Sequence, residues 1–107
     1  MTVQWYSDAL NDLEQIYEYY YTDSPRSAAL LYNRILDDVE ILKTHPYIAA
    51  IEPILNDCPE GYRSLVVAKG MYKVVYYVAD ESVFIVQVFS CRQDTEKLKR
   101  KHHQIFI

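Results

Sequence analysis

Only two glycines, Gly61 and Gly70, occur in the 107 residues of this chain, and that scarcity removes whole classes of function. Neither a phosphate-cradling loop nor a dinucleotide fingerprint can be built without clustered glycines to let the backbone approach a phosphate. Cysteine is as rare. Cys58 and Cys91 lie 33 positions apart and outside any C-x-x-C, which fits reduced thiols better than a disulfide framework. The three histidines, His45 and the adjacent His102 and His103, offer neither a helical i, i+4 pair nor the Cys/His spacing of a zinc site. No metal and no other cofactor is expected. No serine lies in a nucleophile elbow. No apolar run approaches the ~20 residues that span a bilayer, and Met1 leads into a polar segment without the basic region and apolar core of a secretory signal. A cytoplasmic location without a membrane partner is the expectation.

What the chain does have is aromatic and β-branched content. Half of its residues are hydrophobic, eleven are tyrosine and 24% are charged, the balance of one ordered globular domain over residues 1–107. The charge is split. Residues 1–60 hold three basic and eleven acidic side chains, a net −8, whereas residues 61–107 hold eight basic and four acidic, a net +4. The acidic half reads as a solvated helical layer, and the basic half as a surface able to face an anionic partner.

The organising stretch is Tyr62–Asp94, where three runs rich in Val, Ile, Tyr and Phe are broken at Lys69-Gly70-Met71 and Asp80-Glu81-Ser82. Branched and aromatic side chains suit a pleated surface, and breaks this short force hairpins, so a three-stranded meander is predicted. Its central run, Lys73–Ala79, is apolar or aromatic at nearly every position, which predicts burial on both faces. Upstream, Thr2–Tyr6 reads as a short strand that joins the sheet. Ser7 is the expected N-cap of a helix running to about Tyr21, with Ala9, Leu13, Ile16, Tyr17 and Tyr20 on its buried stripe and Asp12, Glu14, Gln15 and Glu18 turned to solvent. Thr22-Asp23-Ser24-Pro25 marks a turn, Ser24 capping a second helix begun by Pro25. Ala28, Leu31, Tyr32, Ile35, Val39 and Leu42 form its stripe, and Pro46 stops it, with His45 placed to meet the last carbonyls. The segment from Pro46 to Gly61 carries three prolines and no period, and is predicted as a long connection with one helical turn near Ile48–Ile51. A short helix from Asp94 to Leu98 and a basic run, Lys97 to His103, close the chain. The expected fold class is α+β, an N-terminal helical hairpin packed on a small antiparallel meander sheet.

The functional candidates are three cations on the strands: Arg63, Lys73 and Arg92. A charge within an apolar run is costly unless exposed or paired. Either they are rim residues that pair with carboxylates elsewhere, or they line a cationic cleft for phosphate oxygens or an acidic protein segment.

The order of these features, a first strand ending in Trp5, the spaced Ala9, Asp12-Leu13, Ile16 and Tyr20, the Pro25 helix with Ala28 and Ile35, then Tyr62-Arg63, Tyr72 to Tyr76 and Ser90-Cys91-Arg92-Gln93-Asp94, resembles the RelE/ParE toxin superfamily of bacterial type II toxin–antitoxin, or plasmid stabilisation, systems. The resemblance spans nearly the whole chain. It implies a cognate antitoxin that wraps the toxin as a hetero-oligomer, and one of two targets. RelE-like members cleave mRNA on the ribosome, which needs a base for the 2′-hydroxyl and cations for the developing charge. Arg63, Lys73 and Arg92 match basic positions of that set, but Leu65 stands where a further lysine belongs and no tyrosine follows Tyr77. ParE-like members inhibit DNA gyrase without a catalytic set, and the long hairpin and the Cys-Arg-Gln-Asp ending resemble them more closely. The resemblance therefore implies a ParE-like gyrase inhibitor with Arg63, Lys73, Tyr76 and Arg92 as target- or antitoxin-binding residues. The alternatives are a ribosome-dependent endoribonuclease using Arg63, Lys73 and Arg92, and an inactive member that keeps only antitoxin binding.

Overall fold

The computed structural model describes residues 1–91. Strand β1 (Thr2–Trp5) leads into helices α1 (Ser7–Tyr21) and α2 (Pro25–Val39), and three strands follow, β2 (Arg63–Val67), β3 (Tyr72–Ala79) and β4 (Ser82–Ser90). The sheet order is β1-β4-β3-β2. β2, β3 and β4 form the expected antiparallel meander. β1 lies parallel to β4, pairing Thr2 with Ser82 and Trp5 with Ile85, so the sheet is mixed; two intervening helices carry the chain far enough to return in the same direction. The fold is α+β, as expected. Arg92, the helix expected from Asp94 and the basic run lie outside the described residues.

The helices follow their caps and stripes. Ser24 caps α2, its Oγ accepting the Ser27 amide at 3.1 Å, with Pro25 at the first helical position. The expected Ser7 cap is not made. Tyr6 takes that position without a side-chain bond, because its amide still donates to the Ile85 carbonyl of the sheet at 2.8 Å while its carbonyl already accepts from Leu10 at 3.0 Å. The chain thus passes from strand to helix with no spacer. α2 ends at Val39 and tightens into a 3₁₀ turn over Glu40–Lys43, which keeps Leu42 on the buried stripe. His45 does not reach the final carbonyls with its ring. The Ile41 carbonyl accepts from the His45 amide and the Thr44 hydroxyl, and the ring Nδ1 bonds that hydroxyl at 2.9 Å.

The sheet is covered on both faces. Ala9, Leu13, Ile35, Val39 and Leu42 pack with Val67, Tyr72, Val74, Tyr76, Val83, Ile85 and Val88 into one core. On the opposite face Leu55, Cys58 and Tyr62 cover Val75, Val86 and Phe89. The two-sided burial expected for Lys73–Ala79 is therefore real. A bulge between Val75 and Tyr76 leaves Val86 without a partner on β3, which gives this face an extra apolar side chain. Asp80 and Glu81 both take positive φ, 51° and 60°, the left-handed pair of a two-residue hairpin turn.

Candidate functional site

The segment from Pro46 to Tyr62 determines what the strand cations can do. Its short helical turn falls at Pro53–Leu55, not at Ile48–Ile51, because Pro53 supplies the first-turn φ that the earlier residues lack. Ile51 instead pairs with Arg63 in an antiparallel bridge, supported by Ser64 N–H to the Ala50 carbonyl at 3.1 Å and Glu52 N–H to the Tyr62 carbonyl at 2.9 Å. The segment thereby closes part of the outer edge of β2 and passes to the other face of the sheet.

It also holds both cations. Arg63 Nη1 donates to the Ala49 carbonyl at 2.6 Å and the Tyr47 carbonyl at 3.4 Å, and the guanidinium lies 5.1 Å from the centre of the exposed Tyr47 ring. Its strand partner is Tyr76, fully buried in the helix-side core, whose hydroxyl donates to the Pro46 carbonyl at 2.8 Å. Burial pushes the Tyr76 phenol up, opposed by backbone hydrogen bonding at Ala49 and by the Arg63 charge. Lys73 stands three residues from Tyr76 along β3, an odd separation, so it points to the other face. There it pairs with Phe89 in register, with Nζ 5.9 Å from that ring, and forms an ion pair at 3.5 Å with Glu52 Oε2.

Glu52 is the residue that sequence reading passed over. It is 1% exposed, the one fully buried charged residue among those described, and Ser64 Oγ donates to the same oxygen at 2.6 Å. A buried carboxylate requires both a counter-charge and hydrogen-bond donors. The signal was present in Ile51-Glu52-Pro53-Ile54-Leu55, a lone carboxylate in an apolar run in a chain with unexplained strand cations.

Arg63 and Tyr76 thus share one face and Lys73 the other, and the structure does not bring the two cations into one cleft. Elsewhere Tyr19, Tyr20, Tyr72, Ile16 and Ser90 line an open cavity of about 370 Å³ between α1 and the sheet. Tyr20, Tyr72 and Ser90 also line a second, of about 350 Å³, that reaches Lys69 and Cys91. Burial and a hydrogen bond of its hydroxyl with Tyr20 push the Tyr72 phenol up. Cys58 is buried, Cys91 exposed, and both are free. Among the described residues no group of His, Cys, Asp and Glu is placed to hold a metal, and no helix is long and apolar enough to cross a membrane.

Two solved structures share this architecture. One, described as the chromosomal ParDE toxin–antitoxin system from P. aeruginosa, superposes with a TM-score of 0.71 at 22% identity, covering 84% of this chain and 95% of that one. The other, the isolated E. coli RelE toxin, gives 0.54 at 18% identity, covering 94% and 97%. At these identities the likeness concerns the fold. The comparison with curated proteins returned no match. The sequence itself matches the family described as ParE toxin of type II toxin–antitoxin system, parDE, over residues 3–95. Because that match runs from β1 past the end of β4, the chain belongs to the ParE toxin family.

Proposed function

We propose that this ParE-family toxin acts by binding and inhibiting DNA gyrase, and that a cognate antitoxin holds it inactive in a hetero-oligomer. The observation that favours gyrase over mRNA cleavage is the divergence of Arg63 and Lys73. Phosphodiester cleavage by side chains needs cations converging on one phosphate, with a base within hydrogen-bond reach of the attacking hydroxyl. Here one cation is bonded to loop carbonyls on one face and the other is paired with Glu52 on the opposite face. An inhibitor needs only a complementary surface. In this reading Arg63 on β2 and Lys73 on β3, on opposite faces of the sheet, and Arg92 serve target or antitoxin binding, and Tyr76 supports Arg63 as its strand partner. The open cavities between α1 and the sheet, with the exposed Tyr19 in the lining of one, suit an antitoxin segment that buries apolar side chains.

The test is a supercoiling assay with purified gyrase. Supercoiling is expected to stop in the presence of the protein and to resume when the antitoxin is added. Unchanged supercoiling at a micromolar excess would remove the gyrase reading. Translation-dependent mRNA cuts that disappear with Arg63→Ala would replace it with the endoribonuclease.

A further inference from the structure

β1 pairs with β4 only as far as Ile85, so among the described residues no strand borders β4 from Val86 to Ser90. Helix α1 runs beside that stretch. Asp12 takes the Val88 amide, but two open cavities of about 370 Å³ and 350 Å³ remain, and Tyr20, Tyr72 and Ser90 line both. Apolar surface is left to water there. Tyr19, in the lining of the first, is 71% exposed and stands edge-on to Tyr20 at 5.1 Å; Met71, in the lining of the second, is 45% exposed. Such walls favour an occupant with apolar side chains.

The path of the chain supplies one. Cys91 lines the second cavity, its amide bonded to the Met71 carbonyl at 3.1 Å, so the sequence beyond the described residues starts at the cavity itself. That sequence is sixteen residues long and carries the cations Lys97, Lys99, Arg100 and Lys101, then the apolar Ile105-Phe106-Ile107. Helix α1 is its complement in charge. It holds Asp8, Asp12, Glu14 and Glu18 and no basic residue, and its last turn, whose free carbonyls favour cations, presents Tyr19 and Tyr20 to the cavity. The thirteen residues between Cys91 and Ile105 reach about 40 Å when extended, ample for a return to a cavity that opens where they begin.

We infer that, in the toxin without its antitoxin, the chain's own Ile105-Phe106-Ile107 occupies the cavities between α1 and β4, with the run from Lys97 to Lys101 beside the carboxylates of α1. Tethering favours this occupant over a separate molecule, because a short linker holds the triplet at an effective concentration of about millimolar. The apolar triplet is held by burial and the basic run by charge. The inference does not rest on gyrase being the target.

The experiment places the photo-crosslinker benzoylphenylalanine at position 106 of the full chain, without antitoxin, and maps its attachment by mass spectrometry. Attachment within the same chain to Tyr19, Tyr20, Met71 or Tyr72 is expected. Glu14→Lys combined with Glu18→Lys is expected to lower that yield by roughly five-fold. Glu40→Lys combined with Glu81→Lys changes the net charge equally but lies near the start of β1, and is expected to leave the yield unchanged. Should the labelled chain fail to fold by circular dichroism, the same probe at position 105 takes its place. Attachment to residues 46–62, or to none, would overturn the inference, as would an equal loss with the Glu40 and Glu81 pair, which would reduce the contact to general attraction to an acidic body. Attachment between two chains, with a yield that falls on dilution, would give the cavities to a second copy and overturn it too.

Discussion

The two faces of the sheet are covered by different kinds of chain. On one face, α1 and α2 lay continuous apolar stripes on Val74, Tyr76, Val83 and Ile85, and among the described residues no charged side chain is fully buried there. On the other, a loop with three prolines brings Leu55, Cys58 and Tyr62 onto Val75, Val86 and Phe89, but brings Glu52 with them. A helix satisfies its own backbone, so it can cover a sheet with hydrocarbon alone. A loop cannot, and its carbonyls and amides must find partners on the sheet. That is why the loop carbonyls of Ala49 and Pro46 take Arg63 and Tyr76 at the edge of the helix-covered face, where the loop begins, and Glu52 takes Ser64 on the other face.

If the helix-covered face is the rigid one, truncation there must cost more than truncation under the loop. Ile35→Ala, at a fully buried α2 position, is expected to lower stability by about 4 kcal/mol, and Leu55→Ala, equally buried under the loop, by about 2 kcal/mol because the loop can settle into the space. Urea denaturation gives both values. Equal losses would mean that the loop packs as firmly as the helices. Hydrogen exchange is expected to show the amides of residues 51–58 opening at lower free energy than those of α2.

The buried ion pair gives the next largest effect. Lys73→Met leaves the Glu52 carboxylate without its counter-charge and is expected to cost about 3 kcal/mol. Glu52→Gln should cost less, since Lys73 is 29% exposed and can turn to water. The double variant is expected to be no worse than Lys73→Met alone, because the two residues act as a unit. Additive losses would mean that the cation and the carboxylate are independent.

These two cases mark what could be read in the sequence. The hairpin, the meander and the two-sided burial of β3 follow from periodicity, since 3.6-residue and two-residue patterns report which way side chains point. Tertiary polar bonds leave no such periodic trace. Asp12 was assigned to solvent by its place on α1, yet its Oδ2 accepts the Val88 amide at 3.0 Å, at a part of β4 that β1 is too short to reach. Asp38 likewise accepts the Ala68 amide at 2.8 Å, fixing a connection in which Ala68 and Lys69 hold positive φ. The cations on the strands were legible as unusual. Their separation to opposite faces was legible too, from the parity of Arg63 and Lys73 once the hairpin register is known. Asp12→Ala is expected to cost about 1–2 kcal/mol, the penalty of an unmade buried bond, in thermal or urea unfolding; no change would mean that water replaces the carboxylate.

The smallest effect separates two serines that look alike in sequence. Ser7 and Ser24 each precede a helical stripe, and each is a preferred capping residue. Only Ser24 has the extended backbone of a cap, φ −159° and ψ 110°, and the bond to Ser27. Ser7 is already inside α1, since the strand before it hands the chain over at Tyr6. Ser24→Ala is therefore expected to lower stability by about 1 kcal/mol, and Ser7→Ala to stay within about 0.5 kcal/mol of the parent. Because the Ser24 hydroxyl holds the turn that sets α2 against α1, its loss should also speed hydrogen exchange at Ser27 and leave Leu10 unaffected. A stability loss at Ser7 equal to that at Ser24 would instead place a true cap at both helix starts and contradict the direct passage from β1 into α1.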